Sequence, residues 1–407
     1  MFILYDIAMR LMSLVMRIAG LFSPKAKLWS DGRRKIIDRI KKEVTQGEEI
    51  AWFHAASLGE FEQGRPVIEA FRKKYPSYKI FLTFFSPSGY EIRKNYAGAD
   101  YIFYLPVDTA RNAYRFVSIV KPKTAVFIKY EIWANYLRFL SMSGCRTFLI
   151  SAIFRPDSAF FKWYGGAYRR LLAYFEHIFV QNGQSEYLLG EAGFNNVSIS
   201  GDTRFDRVWE IAAAAKKLPL VESFKSGSKV LVAGSTWKPD EDLLASLINE
   251  STDTKFIIAP HEIEDARIEK LRASIQRSST RYTAHKEGDD ISQFDVLFVD
   301  TIGILSSVYS YGEYAYIGGG FGVGIHNTLE AAAFGLPLAF GPNYHKFKEA
   351  ADLISHGGAS SVSSVEELSE WFTGLNGDKD LYEKASRSCA DYVAEGRGAT
   401  EVIMSML

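Results

Sequence analysis

The sequence predicts an α/β chain built of two doubly wound halves, and three observations carry that reading. Short β-rich runs alternate with helix-length segments along nearly all of the 407 residues, a pattern that pairs strands in parallel. The alternation breaks once, at the more polar "EIAAAAKKLPLVESFKSGS" (210–228), and then restarts. The length also suits two domains of roughly 100–200 residues each. The boundary is expected within 205–228: residues 23–208 form a first Rossmann-like domain and 209–407 a second, with the last helix free to cross back and a cleft between the two.

At the N-terminus, residues 1–22 (MFILYDIAMRLMSLVMRIAGLF) carry Asp6, Arg10, Ser13 and Arg17 at helical spacing, one narrow polar stripe against a wide apolar face. A spanning helix needs about 20 apolar residues with few charges. A secretory signal carries its positive charge ahead of the apolar run and ends in a small-residue cleavage site. Neither fits, so a helix lying on a membrane surface, or packed beneath the first domain, is expected. "RRKIIDRIKK" (33–42) follows with six basic residues against one acid. It reads either as a patch drawn to anionic head groups or as a solvated helix face.

The strands of the first half are "IAWFHAA" (50–56), "KIFLTFF" (79–85), "YIFYLP" (101–106), "TAVFIK" (124–129), "RTFLIS" (146–151) and "HIFVQN" (177–182). After the first of them, "HAASLGEFEQGRP" (54–66) sets Glu60 behind a tight Ser-Leu-Gly turn, where a helix begins. That is the carboxyl edge of the sheet, where open α/β folds bind ligands. A carboxylate in a helix's first turn is also favoured by the dipole, so a stabilising role stands beside a functional one.

The second half restarts with "KVLVAGS" (229–235), "KFIIAP" (255–260), "DVLFVD" (295–300), "EYAYIGG" (313–319) and "LPLAF" (336–340). Its most informative stretch is "YIGGGFGVGIHNTLEAAAFGLPLAFGP". Glycines 318, 319, 320, 322 and 324 permit positive φ and close approach by a ligand. His326, Asn327 and Thr328 stand where a helix should begin, with Asn327 or Thr328 as its cap and "LEAAAFG" continuing it to Gly335. Such a turn into a helix N-terminus is a seat for phosphate. Glu330 is then left to accept ribose hydroxyls, or simply to favour the helix dipole. "AGSTW" (233–237), "APHEI" (259–263) and "VDTIGIL" (299–305) bring small or polar residues to the same edge. Asp240-Glu241-Asp242, after Lys238-Pro239, reads as an acidic first helical turn and not as a metal site.

Several classes are excluded. Lys+Arg and Asp+Glu are 48 each, and zero net charge argues against a nucleic-acid partner. Cys145 and Cys389 form no disulfide framework, which suits a reducing cytosol. No HxH or HExxH spacing points to a bound metal, and neither opening strand leads into GxGxxG, which argues against a dinucleotide oxidoreductase.

"HAASLGE", "YEIWANY" (130–136), "GDTRFD" (201–206), "GSTW" and "GIHNTLEAAAFGLPLAFGP", preceded by "SPKAKLWSDGRR" (23–34), run in order across the chain. Together they resemble the 3-deoxy-D-manno-octulosonic acid (Kdo) transferases of Gram-negative bacteria. The resemblance implies a GT-B glycosyltransferase, peripheral or monotopic on the cytoplasmic face of the inner membrane. It implies Kdo transfer from CMP-Kdo to a phosphorylated, acylated disaccharide precursor of lipid A, with inversion and without metal or other cofactor.

By position, Glu60 matches the family's catalytic base, and Glu131 and Arg204 its transition-state helpers. The CMP contacts fall on Ser235, Thr236, Pro260, His261, Ile302, Gly303, Ile304, Asn327, Thr328, Leu329 and Glu330. The sequence departs from the family pattern at His261, commonly arginine, at Lys129 and Ile304, often glutamates, and at Arg204, a lysine in the related form. For the acceptor, "IFRPDSAFFKWYGGAYRRLLAYF" (153–175) interleaves Arg155, Lys162, Arg169 and Arg170 with aromatic rings, a head-group site or the solvated face of a core helix. The competing readings are another GT-B transferase or an epimerase acting on a UDP- or ADP-sugar, and a two-lobed solute-binding protein, which would need an export signal.

Overall fold

A computed structural model of the chain describes residues 2–322 and 324–407. It divides into two compact units: residues up to Arg207 together with Arg397–Leu407, and Val208–Gly396. The border between them falls inside the helix Thr203–Ala213.

The first unit holds β1 (Ile50–Ala55), β2 (Lys79–Phe84), β3 (Tyr101–Tyr104), β4 (Thr124–Ile128), β5 (Arg146–Ala152), β6 (His177–Val180) and β7 (Val197–Ile199). They lie in the order β3-β2-β1-β4-β5-β6-β7, every pairing parallel. All six residues of β1 are buried, as a strand covered on both faces requires. Its period of two sends Trp52 into a core with Phe116, Phe127 and Tyr136. Phe53 goes to the opposite core, with Phe61, Phe71 and Ile128. The helix Leu58–Lys74 covers that second face, and Gly64 lets it approach: a Cβ there would stand 2.2 Å from Ile128 Cδ1. The terminal helix Ala399–Met404 joins the same core through Ile403 and Met404.

The N-terminal helix Phe2–Ala19 docks by its polar stripe. Asp6 Oδ1 accepts the Ala110 N–H at 2.7 Å, and the Tyr5 hydroxyl donates to Asp108 Oδ2 at 2.8 Å. Its apolar face, with Ile3, Leu4, Ile7, Leu11, Leu14, Val15 and Ile18, is exposed. Among the described residues no helix is long and apolar enough to cross a membrane. In the basic run 33–42, Arg33 turns inward. It donates to the carbonyls of Leu105, Trp29 and Phe85 and stacks on the rings of Trp29, Phe85 and Tyr104.

The second unit repeats the architecture with β8 (Lys229–Thr236), β9 (Thr254–Pro260), β10 (Ser279–Arg281), β11 (Val296–Phe298), β12 (Tyr314–Ile317), β13 (Leu338–Phe340) and β14 (Ala359–Ser361), in the order β10-β11-β9-β8-β12-β13-β14 and again parallel. The acidic triplet sits in the first turn of the helix Lys238–Glu250. One expectation needs correction. "LEAAAFG" forms only the short helix Leu329–Ala332. The segment 210–228 holds the end of Thr203–Ala213 and a separate helix, Pro219–Lys225.

Candidate functional site

In a doubly wound sheet, the crevice for ligands opens at the carboxyl ends of the strands where the sequential order reverses. In the first unit that point lies between β1 and β4, and Glu60 and Glu131 follow those two strands. Ser57 is the N-cap of the helix Leu58–Lys74 and Glu60 its third residue. Ser-Leu-Gly is thus not a separate turn but the cap and first turn of the helix itself. Glu60 Oε2 accepts the Ser57 N–H and hydroxyl, both at 2.8 Å, a reciprocal capping arrangement. Oε1 has no protein partner among the described residues. The stabilising and functional readings of Glu60 therefore each have an oxygen.

Glu131 follows Lys129, which takes a left-handed φ of 69°. Its Oε2 accepts from Trp133 Nε1 at 2.7 Å and His54 Nε2 at 2.9 Å. Arg204 is paired with Asp202, its Nε and Nη2 at 2.9 and 2.8 Å from Oδ2. The neighbouring Thr203 hydroxyl donates to the Gln63 carbonyl and meets Ser151 Oγ at 3.1 Å, tying the start of Arg204's helix to the helix of Glu60. Asp206 caps the terminal helix by accepting from Gly398 and Thr400 at 2.7 Å. "GDTRFD" is thus partly a structural joint. Lys129, Ser151 and Ser235 are non-glycine residues at positive φ, all at the carboxyl ends of strands. Such strain costs about 1–3 kcal/mol and gathers where the surroundings over-determine the backbone, functional sites included.

The four acceptor candidates do not share one helix. Arg169 and Arg170 are in Gly166–Leu172, whereas Arg155 and Lys162 lie outside it. Arg169 Nη1 donates to the Phe160 carbonyl at 2.6 Å, while Arg155, Lys162 and Arg170 are exposed. The aromatic residues divide: Phe160 and Phe161 pack on the core, but Trp163, 92% exposed, and Tyr164 face solvent.

In the second unit the reversal lies between β8 and β12. Three strand ends supply a ring stack there. Trp237 follows β8, His261 follows β9 and His326 closes the glycine turn after β12. Trp237 stacks on His261 at 4.7 Å and His261 on His326 at 4.4 Å between ring centroids. Trp237 Nε1 donates to His326 Nε2 at 3.2 Å. Buried Asp240 holds the loops together, accepting from the N–H groups of Trp237 and Gly319 and from the Tyr316 hydroxyl at 2.8–3.0 Å.

The glycines serve this packing first. A Cβ at Gly318 would stand 2.3 Å from the Ser235 carbonyl oxygen, and one at Gly320 2.5 Å from Gly341 Cα. Of the five, only Gly319 and Gly324 have positive φ. The N-cap of Leu329–Ala332 is Thr328, whose side chain makes no cap bond, and the preceding Asn327 accepts the Leu329 N–H at 3.2 Å and donates to Glu330 Oε1 at 3.0 Å. Thr236, Pro260, Thr328 and Leu329 are buried, whereas Ser235 and Ile304 are half-buried and His261, Ile302 and Gly303 exposed. Among the described residues no three His, Cys, Asp or Glu side chains group to hold a metal ion.

Burial, reinforced by the neighbouring His261, pushes His326 down to about 4. The folded unit keeps this ring neutral to that pH, whereas an unfolded chain takes up the proton below about 6.5. The stability held above about pH 6.5 is therefore lost progressively as the pH falls toward 4. Denaturant melts at stepped pH should show this slope, and His326→Phe should flatten it; an unchanged slope would assign it elsewhere.

Sequence reasoning passed over His54, Trp133, Trp237 and His326 as site members. The available signal was a lone polar ring inside an apolar strand, and tryptophans directly beyond strand ends.

Known proteins of one family are similar to the chain. Residues 32–207 match the family described as 3-deoxy-D-manno-octulosonic-acid transferase (kdotransferase). The 3-deoxy-D-manno-octulosonic acid transferase of Chlamydia muridarum is 28% identical over 341 residues, 79% of this chain and 76% of its own. That of Aquifex aeolicus is 27% identical over 332 residues, 80% and 85% of the two chains. Over most of its length the chain is thus similar to the Kdo transferases. As a Kdo transferase it is a glycosyltransferase, and its two parallel-sheet units resemble the GT-B fold. The UDP-GlcNAc 2-epimerase of Neisseria meningitidis, solved with UDP-GlcNAc, superposes with a TM-score of 0.61 at 17% identity, over 88% of this chain and 98% of its own. At that identity the likeness is one of fold alone.

Proposed function

We propose that this Kdo transferase moves Kdo from CMP-Kdo to a hydroxyl of a phosphorylated, acylated disaccharide lipid, with inversion and without a metal. The acceptor oxygen attacks the anomeric carbon, the bond from that carbon to the CMP phosphate breaks, and Glu60 takes the hydroxyl proton. Glu131 and Arg204 act at the transition state, Arg204 by offsetting negative charge on the departing phosphate. The second unit binds the donor through the strand ends at Ser235–Thr236, Pro260–His261, Ile302–Ile304 and Asn327–Glu330. One observation beyond the family match carries the reading: Glu60 stands at the strand-order reversal with one oxygen committed to its helix cap and the other uncommitted.

Purified protein incubated with CMP-Kdo and a lipid A precursor should give a product heavier by one or more Kdo residues, read by mass spectrometry. No mass gain with CMP-Kdo, or transfer from a UDP- or ADP-sugar instead, would overturn it.

The reading extends to the membrane. The exposed apolar face of Phe2–Ala19 is suited to lie in the cytoplasmic leaflet of the inner membrane. Beside it a cleft of about 840 Å³ is lined by Arg17, Arg34, Lys35 and Arg111, by Arg10 and Arg115, which pair with Asp6 and Asp38, and by Asp31, a basic excess that favours anionic head groups at ~1 kcal/mol for each unpaired charge. Exposed Arg155, Lys162 and Arg170, with Arg169, are assigned to the acceptor's head group. Removing residues 2–22 should release the protein from vesicles containing an anionic phospholipid; undiminished co-sedimentation would sink the membrane assignment.

A further inference from the structure

His54 stands in the middle of β1, fully buried among the rings of Trp52, Phe127 and Trp133. In the sheet it pairs with Thr83 of β2 on one side and Phe127 of β4 on the other. Its Nε2 lies 2.9 Å from Glu131 Oε2. Two lone pairs cannot face each other at that distance, so Nε2 carries the proton and donates to the carboxylate. The Trp133 indole N–H, 2.7 Å from the same oxygen and 3.0 Å from His54 Nε2, donates to the nearer carboxylate as well.

On the other side of the ring Nδ1 lies 2.8 Å from the Thr83 hydroxyl and 3.1 Å from the Thr83 carbonyl oxygen. Thr83 Oγ1 in turn accepts the indole N–H of Trp52 at 2.8 Å. A chain of hydrogen bonds thus links the core to the site: Trp52, Thr83, His54, Glu131. Glu131 Oε1, by contrast, has no protein partner among the described residues.

We propose that His54 is a positioning residue for Glu131. With two N–H donors on Oε2, the carboxylate is held in one rotamer before any sugar arrives, and Oε1 is the oxygen presented to a substrate hydroxyl. Orientation fixed in advance is what transition-state contacts require, and a misplacement of about 1 Å can cost on the order of 10²-fold in rate. The inference rests on the assignment of Glu131 to the transfer reaction.

Two near-isosteres separate the ring's two nitrogens. In His54→Gln an amide nitrogen can occupy the place of Nε2 and still donate to Glu131. In His54→Asn the nitrogen falls near Nδ1 and the bond to Glu131 is lost. His54→Gln should keep kcat within about threefold of the wild type, while His54→Asn should lose about 10–100-fold, with both substrate KM values little changed. Equal kcat in the two variants would overturn the proposal, since a role confined to packing would not distinguish them.

Should His54→Asn fail to fold, two other measurements carry the test. Ring nitrogen-15 NMR of the wild type should show a proton on Nε2, and a bare Nε2 would overturn the proposal. Trp133→Phe, which removes the second donor to Oε2, should lower kcat about 3–10-fold at unchanged KM, and an unaltered kcat would count against it. A wild type that transfers no Kdo fails the functional reading instead, and the NMR result still reports on the His54–Glu131 bond.

Discussion

Glu60→Gln is expected to lower kcat by about 10²–10⁴-fold, the span of general-base catalysis, while the protein melts at nearly the wild-type temperature. The separation follows from how the carboxylate is shared. Oε2 accepts from the Ser57 N–H and hydroxyl, and a glutamine side-chain oxygen can accept the same two bonds, since Glu and Gln serve equally at this position of a capping box. What glutamine cannot do is take a proton from the acceptor hydroxyl. Glu60→Ala should lose both functions, adding a stability loss of roughly 0.5–2 kcal/mol, the scale of a missing cap. Ser57→Ala supplies the converse, a weaker cap with the base retained, and should cost stability more than rate. Kinetics and thermal melts on the three variants settle the matter. If Glu60→Gln kept its kcat within threefold, Glu60 would be a capping residue only, and proton removal would belong to another group.

The long strands were legible in the sequence because both faces of each are covered. β1, β4 and β9 are buried along their whole length and mostly apolar, which is what a covered parallel strand requires. β7, β10 and β14 were not legible. Each has three residues at a sheet edge, with Ser or Thr making up much of it, and at that length neither periodicity nor hydrophobicity separates strand from loop.

Glu60 was readable from position, since a carboxylate just beyond an apolar strand stands at the sheet's ligand edge, whereas Glu131 and Arg204 came only from the family resemblance. Their partners were not legible. His54 and Glu131 are 77 residues apart and meet only because β1 and β4 become neighbours. The ring stack of Trp237, His261 and His326 likewise needs three strand ends to converge. The glycine turn shows a subtler gap: the sequence marks where side chains are forbidden, but not whether a ligand or the protein's own backbone forbids them.

At Gly318 it is the backbone, and Gly318→Ala should be the most damaging single change in the second unit. The new Cβ would lie 2.3 Å from the Ser235 carbonyl oxygen, 2.6 Å from Thr236 Cα and 2.7 Å from the Ser235 carbonyl carbon. These are main-chain atoms, so no rotamer change relieves the clash. Neither strand end can easily yield. Gly318 donates to the Gly234 carbonyl at 2.9 Å and accepts from His326 N–H at 3.1 Å, and Ser235 is already held at φ 55°. Overpacking of this kind costs about 1–3 kcal/mol. If the strain is relieved at all, the end of β12 moves away from β8, carrying the glycine turn and His326 out of register with Trp237. Either way the donor edge is disrupted, and CMP affinity measured by calorimetry should fall at least about tenfold. Gly322→Ala is the control: its Cβ would meet nothing nearer than the Gly319 carbonyl oxygen at 4.0 Å, so affinity and melting temperature should stay near the wild type. Were both variants to lose CMP equally, the turn would be reserved for the ligand and not for the apposition of its own two strands.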